Sequence, residues 1–289
     1  MNLFRRLLRL TARIAFTALL GGLLGATLIR FAPGFQFDER QLDPRFSQQS
    51  VVSFQASRSG EQNVLQFYAR YLSNLIRGDL GESRTYRRPV TSLFFERVPV
   101  TLKSIALALA LAWTAGLALA IPAAGRARPS YEICTSFLSG LLLSLPSAVI
   151  ALLLLYLNGP VSLALALVVL PRVFRYARNL ILETHSMPHV LLASAKGVSK
   201  AGILCRHVFP IAAPQLLALA GISISMALGA AIPIEVLCDS PGVGQLAWQA
   251  ALGRDLPLLV NITLLIALVT LFANCAAELG AKSFERQPA

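Results

Sequence analysis

Long apolar runs alternate with short clusters of charge along this chain. Ser104 to Gly125, Ile133 to Leu157, Gln215 to Leu237 and Leu256 to Ala281 are nearly free of ionisable residues, and Ile14 to Ile29 is a shorter run rich in Gly and Leu. At about 1.5 Å of rise per residue, about 20 residues cross a hydrocarbon core of about 30 Å as a helix. Each long run therefore predicts a membrane span. Gly159 to Pro171 is short for one, and reaches span length only by continuing through Val173, Phe174 and Tyr176 with Arg172, Arg175 and Arg178 snorkelling. Arg5, Arg6, Arg9 and Arg13 precede the first run, which ends at Arg30 with no clear small-x-small cleavage site, so it reads as an uncleaved helix rather than a signal peptide. The expectation is an all-α polytopic membrane protein of six transmembrane helices, in three parts. Residues 1–33 are a basic start and first helix, 34–97 an extracytoplasmic segment, and 98–289 a five-helix core.

The polar intervals carry the local signals. Within 34–97, Val64 to Ile76 suits a short amphipathic helix, and Gly78-Asp79-Leu80-Gly81-Glu82-Ser83 is a turn signal. Ser144-Leu145-Pro146-Ser147 sits mid-run, where Pro146 frees a backbone carbonyl that a wet cavity or a neighbouring helix must satisfy. Residues 182–214 enclose a basic bracket. Ala193, Ala195 and Lys196 lead into Gly197, a helix-ending residue, and a second short piece with Lys200, Arg206 and His207 is expected to stop at Pro210. After Glu235 comes Cys238-Asp239-Ser240-Pro241-Gly242-Val243-Gly244, read as a rigid turn, followed by Arg254 and Asp255, which can pair across it. Asn261 and Asn274 in the last run are expected to face other helices, because a polar group in lipid is costly.

Composition agrees with the pattern. The chain is 55% hydrophobic and 14% charged with mean hydropathy +0.64, against about 25% charge in soluble domains. Its net charge of +12 sits mostly at the ends of apolar runs, as topology requires, which argues against nucleic-acid binding. With both termini inside, Lys and Arg concentrate on the inner segments, and the bracket falls in the cytoplasm. Cys134, Cys205, Cys238 and Cys275 are scattered, and His185 and His189 lack an evident third ligand, so no metal site is expected. The sequence has no G-x-x-x-x-G-K-[ST], no Ser/His/Asp or Cys/His set, and no ionisable group expected mid-span; Glu132, Glu235 and Glu278 lie near run ends. Catalysis and cofactors are not expected in this chain, and any transport would draw on energy from elsewhere.

Several motifs together resemble the first type of permease subunit in dipeptide/oligopeptide/nickel ABC importers. They are the GDLG(x)S stretch at 78–83, Arg97-Val98-Pro99-Val100-Thr101-Leu102, the Ser-Leu-Pro at 144–146, the bracket around Gly197 with Pro210 thirteen residues on, and Pro-Gly-Val-Gly followed by Arg254-Asp255-x-Pro257. The resemblance implies an inner-membrane importer subunit for peptides or a similar small solute. It implies an ATPase-coupling role for Ala193, Ala195, Lys196, Gly197, Arg206, His207 and Pro210. It implies a path or gate at Ser144, Pro146, Ser147, Glu235, Asp239, Pro241, Gly242 and Gly244, and an extracytoplasmic turn at Gly78, Asp79, Gly81, Arg254 and Asp255. The partners implied are a second permease subunit, two peripheral subunits that bind ATP and Mg, and an external solute-binding protein. Ser194 stands where relatives have arginine, and the stretch before the fourth span is trimmed. A self-powered carrier or channel and a non-transporting membrane assembly protein remain the alternatives.

Overall fold

The computed structural model describes residues 77–124 and 129–285, together with Phe16, Thr27 and 73–75. The rest of the first apolar run, most of Val64 to Ile76, residues 125–128 with Arg126 and Arg128, and Arg286 lie outside the described residues. A two-stranded antiparallel hairpin, β1 (Glu82–Ser83) and β2 (Arg88–Pro89), sets Glu82 opposite Pro89. Eight longer helices and one short turn of helix follow. They are α1 (Val90–Ala124), α2 (Pro129–Ser144), α3 (Ser147–Tyr156), α4 (Val161–His185), α5 (Pro188–Ala195), α6 (Lys200–Ile203), α7 (Phe209–Leu237), α8 (Val243–Leu252) and α9 (Leu256–Glu285). A π-helical turn, Leu204–Val208, joins α6 to α7.

Three helical stretches are long and apolar enough to cross a membrane: Val90–Ala123, Lys200–Leu237 and Leu256–Phe284. The pair α2 and α3 adds a fourth if counted as one span. The chain is thus a multi-pass helical membrane protein. Its exposed apolar side chains, such as Leu102, Leu107 and Leu111 on α1 and Phe272 on α9, suit contact with lipid chains.

Four expectations are refined or corrected. Ile133 to Leu157 is not one continuous helix: α2 and α3 meet at 101°. Pro146, extended at φ −59° and ψ 144°, ends one helix and starts the next, so its carbonyl accepts from Val149 at 3.0 Å. The fourth helix takes the longer of its two readings. It runs 25 residues through Pro171, with Ala164, Leu165, Val169, Val173, Phe174 and Ala177 among its buried residues. Its weak hydropathy follows from that burial, since a helix packed against protein need not be apolar all round. This also places Arg172, Arg175 and Arg178 inside a long helix, where no mid-span charge was expected. Pro210 does not stop the bracket: helix continues from Lys200 to Leu237. The π-helical turn bonds Phe209 N–H to the Leu204 carbonyl and restarts the α register just before Pro210, where a first-turn residue needs no N–H donor. Finally, the Pro-Gly-Val-Gly turn leads directly into α8, which the apolar pattern did not separate from its flanks.

The chain divides into two compact units, one formed by residues up to Arg97 with Leu246–Leu268, the other by Val98–Gln245 with Val269–Ala289. In the second, α4 lies in one core with Ala108 and Ala112 of α1, Ile150 and Leu154 of α3, and Ala227, Ala231 and Ile234 of α7. A second core gathers Phe174, Ala177 and Ile181 of α4 with Val190, Ile203, Val208 and Ala212, seating the bracket on the end of α4. Small residues permit the close approach. A Cβ on Gly116 would lie 2.8 Å from Val173, and one on Gly221 would lie 2.9 Å from Asn274. Asn274 also donates to Ser225 at 3.2 Å.

Candidate functional site

The bracket is built from a helix end and a cap. Gly197 has φ +78°, its N–H bonds to the Ser194 carbonyl at 3.0 Å, and the Val198 N–H bonds to Ala193 at 3.2 Å. This 6→1 and 5→2 pairing is a Schellman ending, which favours glycine at that position. Ser199 then caps α6, its hydroxyl accepting from Gly202 N–H at 3.2 Å. Ala193 is buried, whereas Ala195, Lys196, Gly197, Arg206 and Pro210 are exposed and His207 is half-buried. The bracket therefore presents a basic outer surface on an apolar seat. His189 and His207 approach within it, ring centroids 6.5 Å apart. His185 Nδ1 lies 3.2 Å from the Ile181 carbonyl.

Glu235 is the most enclosed charged group of the second unit. It is fully buried, accepts from Thr101 Oγ1 at 2.7 Å through one oxygen, and from Gly244 N–H at 2.7 Å through the other. The Thr101 hydroxyl in turn accepts from Val243 N–H at 2.7 Å. Both glycines of Pro-Gly-Val-Gly are required by contact. A Cβ on Gly242 would lie 2.3 Å from the Glu235 carboxyl, and one on Gly244 would lie 2.7 Å from Ile232 Cα. Asp239, exposed at φ +49°, accepts from Gln245 at 2.7 Å, and Pro241 is exposed. Two motifs far apart in sequence, the Thr101 segment and the glycine turn, thus meet on one carboxylate. Thr101 was legible only as a motif letter; nothing local marks it as the partner of Glu235.

In the other unit Asp255 does comparable work. It is buried, accepting from Ser83 Oγ at 2.6 Å and Thr85 N–H at 2.9 Å through one oxygen, and from Leu258 N–H at 3.2 Å through the other. It therefore ties the hairpin to the start of α9. Asn261, two per cent exposed, donates to Leu80 at 2.9 Å, and Tyr86 to Gln249. Gly78 and Gly81 take positive φ, and Gly81 N–H bonds to Asp79 at 2.8 Å, closing the turn. Arg254 is half-buried beside Asp255. Arg88 donates to Glu96 at 2.5 Å, which raises its pKa further above its ordinary value.

Ser144 and Pro146 are exposed at the break between α2 and α3, Ser147 half-buried, with the Ser144 hydroxyl on the Leu141 carbonyl at 2.7 Å. Arg178 of α4 is paired with Glu132 of α2. Among the described residues no group of three or more His, Cys, Asp or Glu could hold a metal ion.

A broken apolar helix pair, a glycine-turned basic bracket seated on the bundle and a carboxylate-locked Pro-Gly-x-Gly turn are the marks of this multi-pass helical membrane protein. The chain belongs to the family of binding-protein-dependent transport system inner membrane components, whose family model matches residues 98–287. It is similar to a protein of Brucella suis biovar 1 (strain 1330) named "Putative peptide transport system permease protein", 26% identical over 81% of this chain and 82% of that one. It is also similar to the dipeptide transport system permease protein of Lactococcus lactis subsp. cremoris (strain MG1363), 26% identical over 84% of this chain and 85% of that one. The chain is accordingly the transmembrane component of an ABC importer, not itself catalytic, with ATP hydrolysis on separate subunits and an external binding protein as the general partners of such a component.

Proposed function

We propose that this permease carries peptides or closely related small solutes across the cytoplasmic membrane, through six spans with both termini in the cytoplasm. It works as one half of a heterodimer with a second permease, on two peripheral ATPases that hold ATP and Mg. The peptide class is supported by the names of the relatives. The chain itself holds no cofactor in this reading. The parts 1–33, 34–97 and 98–289 keep the roles of first helix, extracytoplasmic segment and permease core. The bracket carries the reading: exposed Lys196, Gly197 and Arg206 form the surface that docks in a groove on the ATPase, with Ala193 buried beneath it and Ala195, His207 and Pro210 completing the fold. ATPase closure then moves α5 and α6 with the bundle as a rigid body. Ser144, Pro146 and Ser147 belong to the solute path, while Glu235, Asp239, Pro241, Gly242 and Gly244 hold the gate-side turn. Gly78, Asp79, Gly81, Arg254 and Asp255 shape the extracytoplasmic turn.

Gly197→Val tests the reading. No atom lies within 4 Å of a Cβ at this position, so the change strains only the positive φ. The variant is expected to insert at the normal level and to lose solute uptake in proteoliposomes while the ATPases still hydrolyse ATP. Normal uptake would remove the coupling role from this turn.

A further inference from the structure

Helix α4 buries one face and exposes another of opposite character. Val169, Val173, Phe174, Ala177, Leu180 and Ile181 are buried, while Arg172, Arg175, Tyr176, Asn179 and Glu183 are exposed and share one face by helical spacing. Arg172 lies eleven residues after Val161 and thirteen before His185, about 16 Å and 20 Å of rise from the two ends. It is a mid-helix charge. The neighbouring helices expose mainly apolar side chains, Leu102, Leu107 and Leu111 on α1 and Leu152 and Leu153 on α3, with Lys103 and Thr114 of α1 the exposed polar ones in that stretch. Those surfaces suit lipid, and the α4 face does not, because a guanidinium that faces lipid is costly unless it meets water or an anion. Leu182 apart, its exposed residues are not the small and apolar ones that pack membrane helices together. Arg178, lower on the same helix, is neutralised by Glu132, and its Nε is buried without a hydrogen-bond partner. Arg172 and Arg175 have no hydrogen bond or ion pair among the described residues.

We infer that this face lines the aqueous solute path, and that Arg172 and Arg175 there bind a carboxylate of the transported solute. Paired guanidinium groups match a carboxylate in geometry as well as charge. Tyr176 and Asn179 add neutral hydrogen-bonding groups beside them. The inference rests on the permease reading above and deepens it by naming the chemistry that the path recognises.

The test uses the assembled transporter, with its ATPases and binding protein, in proteoliposomes. Uptake of trialanine is compared with that of trialanine amide, which lacks the carboxylate. Arg172→Gln and Arg175→Gln are each expected to lower the ratio of trialanine uptake to amide uptake about tenfold. Whatever the binding protein prefers is common to wild type and variant and cancels in that comparison. Equal losses for both probes, or no loss for either, would overturn the assignment. A second arm needs no peptide. In a background with all four cysteines changed to serine, Asn179→Cys is expected to react with membrane-impermeant methanethiosulfonates, faster with an anionic than a cationic reagent, and Arg175→Gln should narrow that difference. A thiol that does not react, or reacts without regard to reagent charge, would overturn the inference whatever the solute. Should the wild type take up neither probe while the thiol arm behaves as expected, the peptide reading fails and the cationic path stands.

Discussion

Thr101 carries more than its size suggests. It donates to Glu235 and accepts from Val243 N–H, so removing its hydroxyl takes one bond from the Glu235 carboxyl and one from a buried amide. A buried group left unsatisfied costs about 1–3 kcal/mol. Thr101→Val keeps the shape and is expected to lower the midpoint of thermal unfolding in detergent by several degrees, with Thr101→Ser close to wild type. An unchanged midpoint for the valine variant would show the knot to be energetically idle. The acid and the Pro-Gly-x-Gly turn were legible in sequence because they lie close together. Their bond to Thr101 was not, because it spans 134 residues and no local pattern encodes so distant a partner. Asp255 was legible as part of a motif, yet its engagement of Ser83 and Thr85 needed the fold. The contact of Asn274 with Ser225 on another helix did follow from the cost of polar groups in lipid, whereas Asn261 is buried against Leu80 of the turn rather than a helix.

Among elements, the bracket shows where local rules succeed and fail. Glycine at a helix end predicted the turn at Gly197, since left-handed φ is a property of one residue and its neighbours. The proline rule misread Pro210, because the π-helical turn before it changes which carbonyl lacks a donor. That turn inserts one residue into an otherwise α-helical path, and so sets the rotation of α6 about the axis of α7. Deleting Cys205, exposed within it, would restore α register and turn the bracket by about 100° relative to α7. The deletion is expected to insert normally and to abolish ATP-driven uptake; uptake at the wild-type rate would show that the bracket's rotational setting is irrelevant. Helix α4 gave the weakest signal for a related reason. Hydropathy measures affinity for lipid, and this helix satisfies its apolar residues inside the protein instead.

For the whole molecule, the broad class was readable from run lengths and sparse charge, and the family model over 98–287 agrees with the motif resemblance. The architecture within the bilayer was less readable, as the 101° break between α2 and α3 shows. A proline in an apolar run permits either a kink or a full break, and packing decides between them. The partner set is checked by gentle extraction of a tagged chain from its native membrane. A pair of P-loop ATPases and a second permease are expected to co-purify; recovery of the chain as a homo-oligomer alone would defeat the heterodimer.

The knot at Glu235 also bears on how the protein is made. Ribosomes deliver the chain from its N-terminus, so Thr101 is in place long before Glu235, but Gly244 emerges nine residues after it. As Glu235 leaves the ribosome, its hydroxyl donor is already placed and its amide donor follows nine residues behind. That end of α7 gains its full set of bonds only after the glycine turn has emerged. Translation order thus sets an order of assembly, in which the turn completes the helix that precedes it.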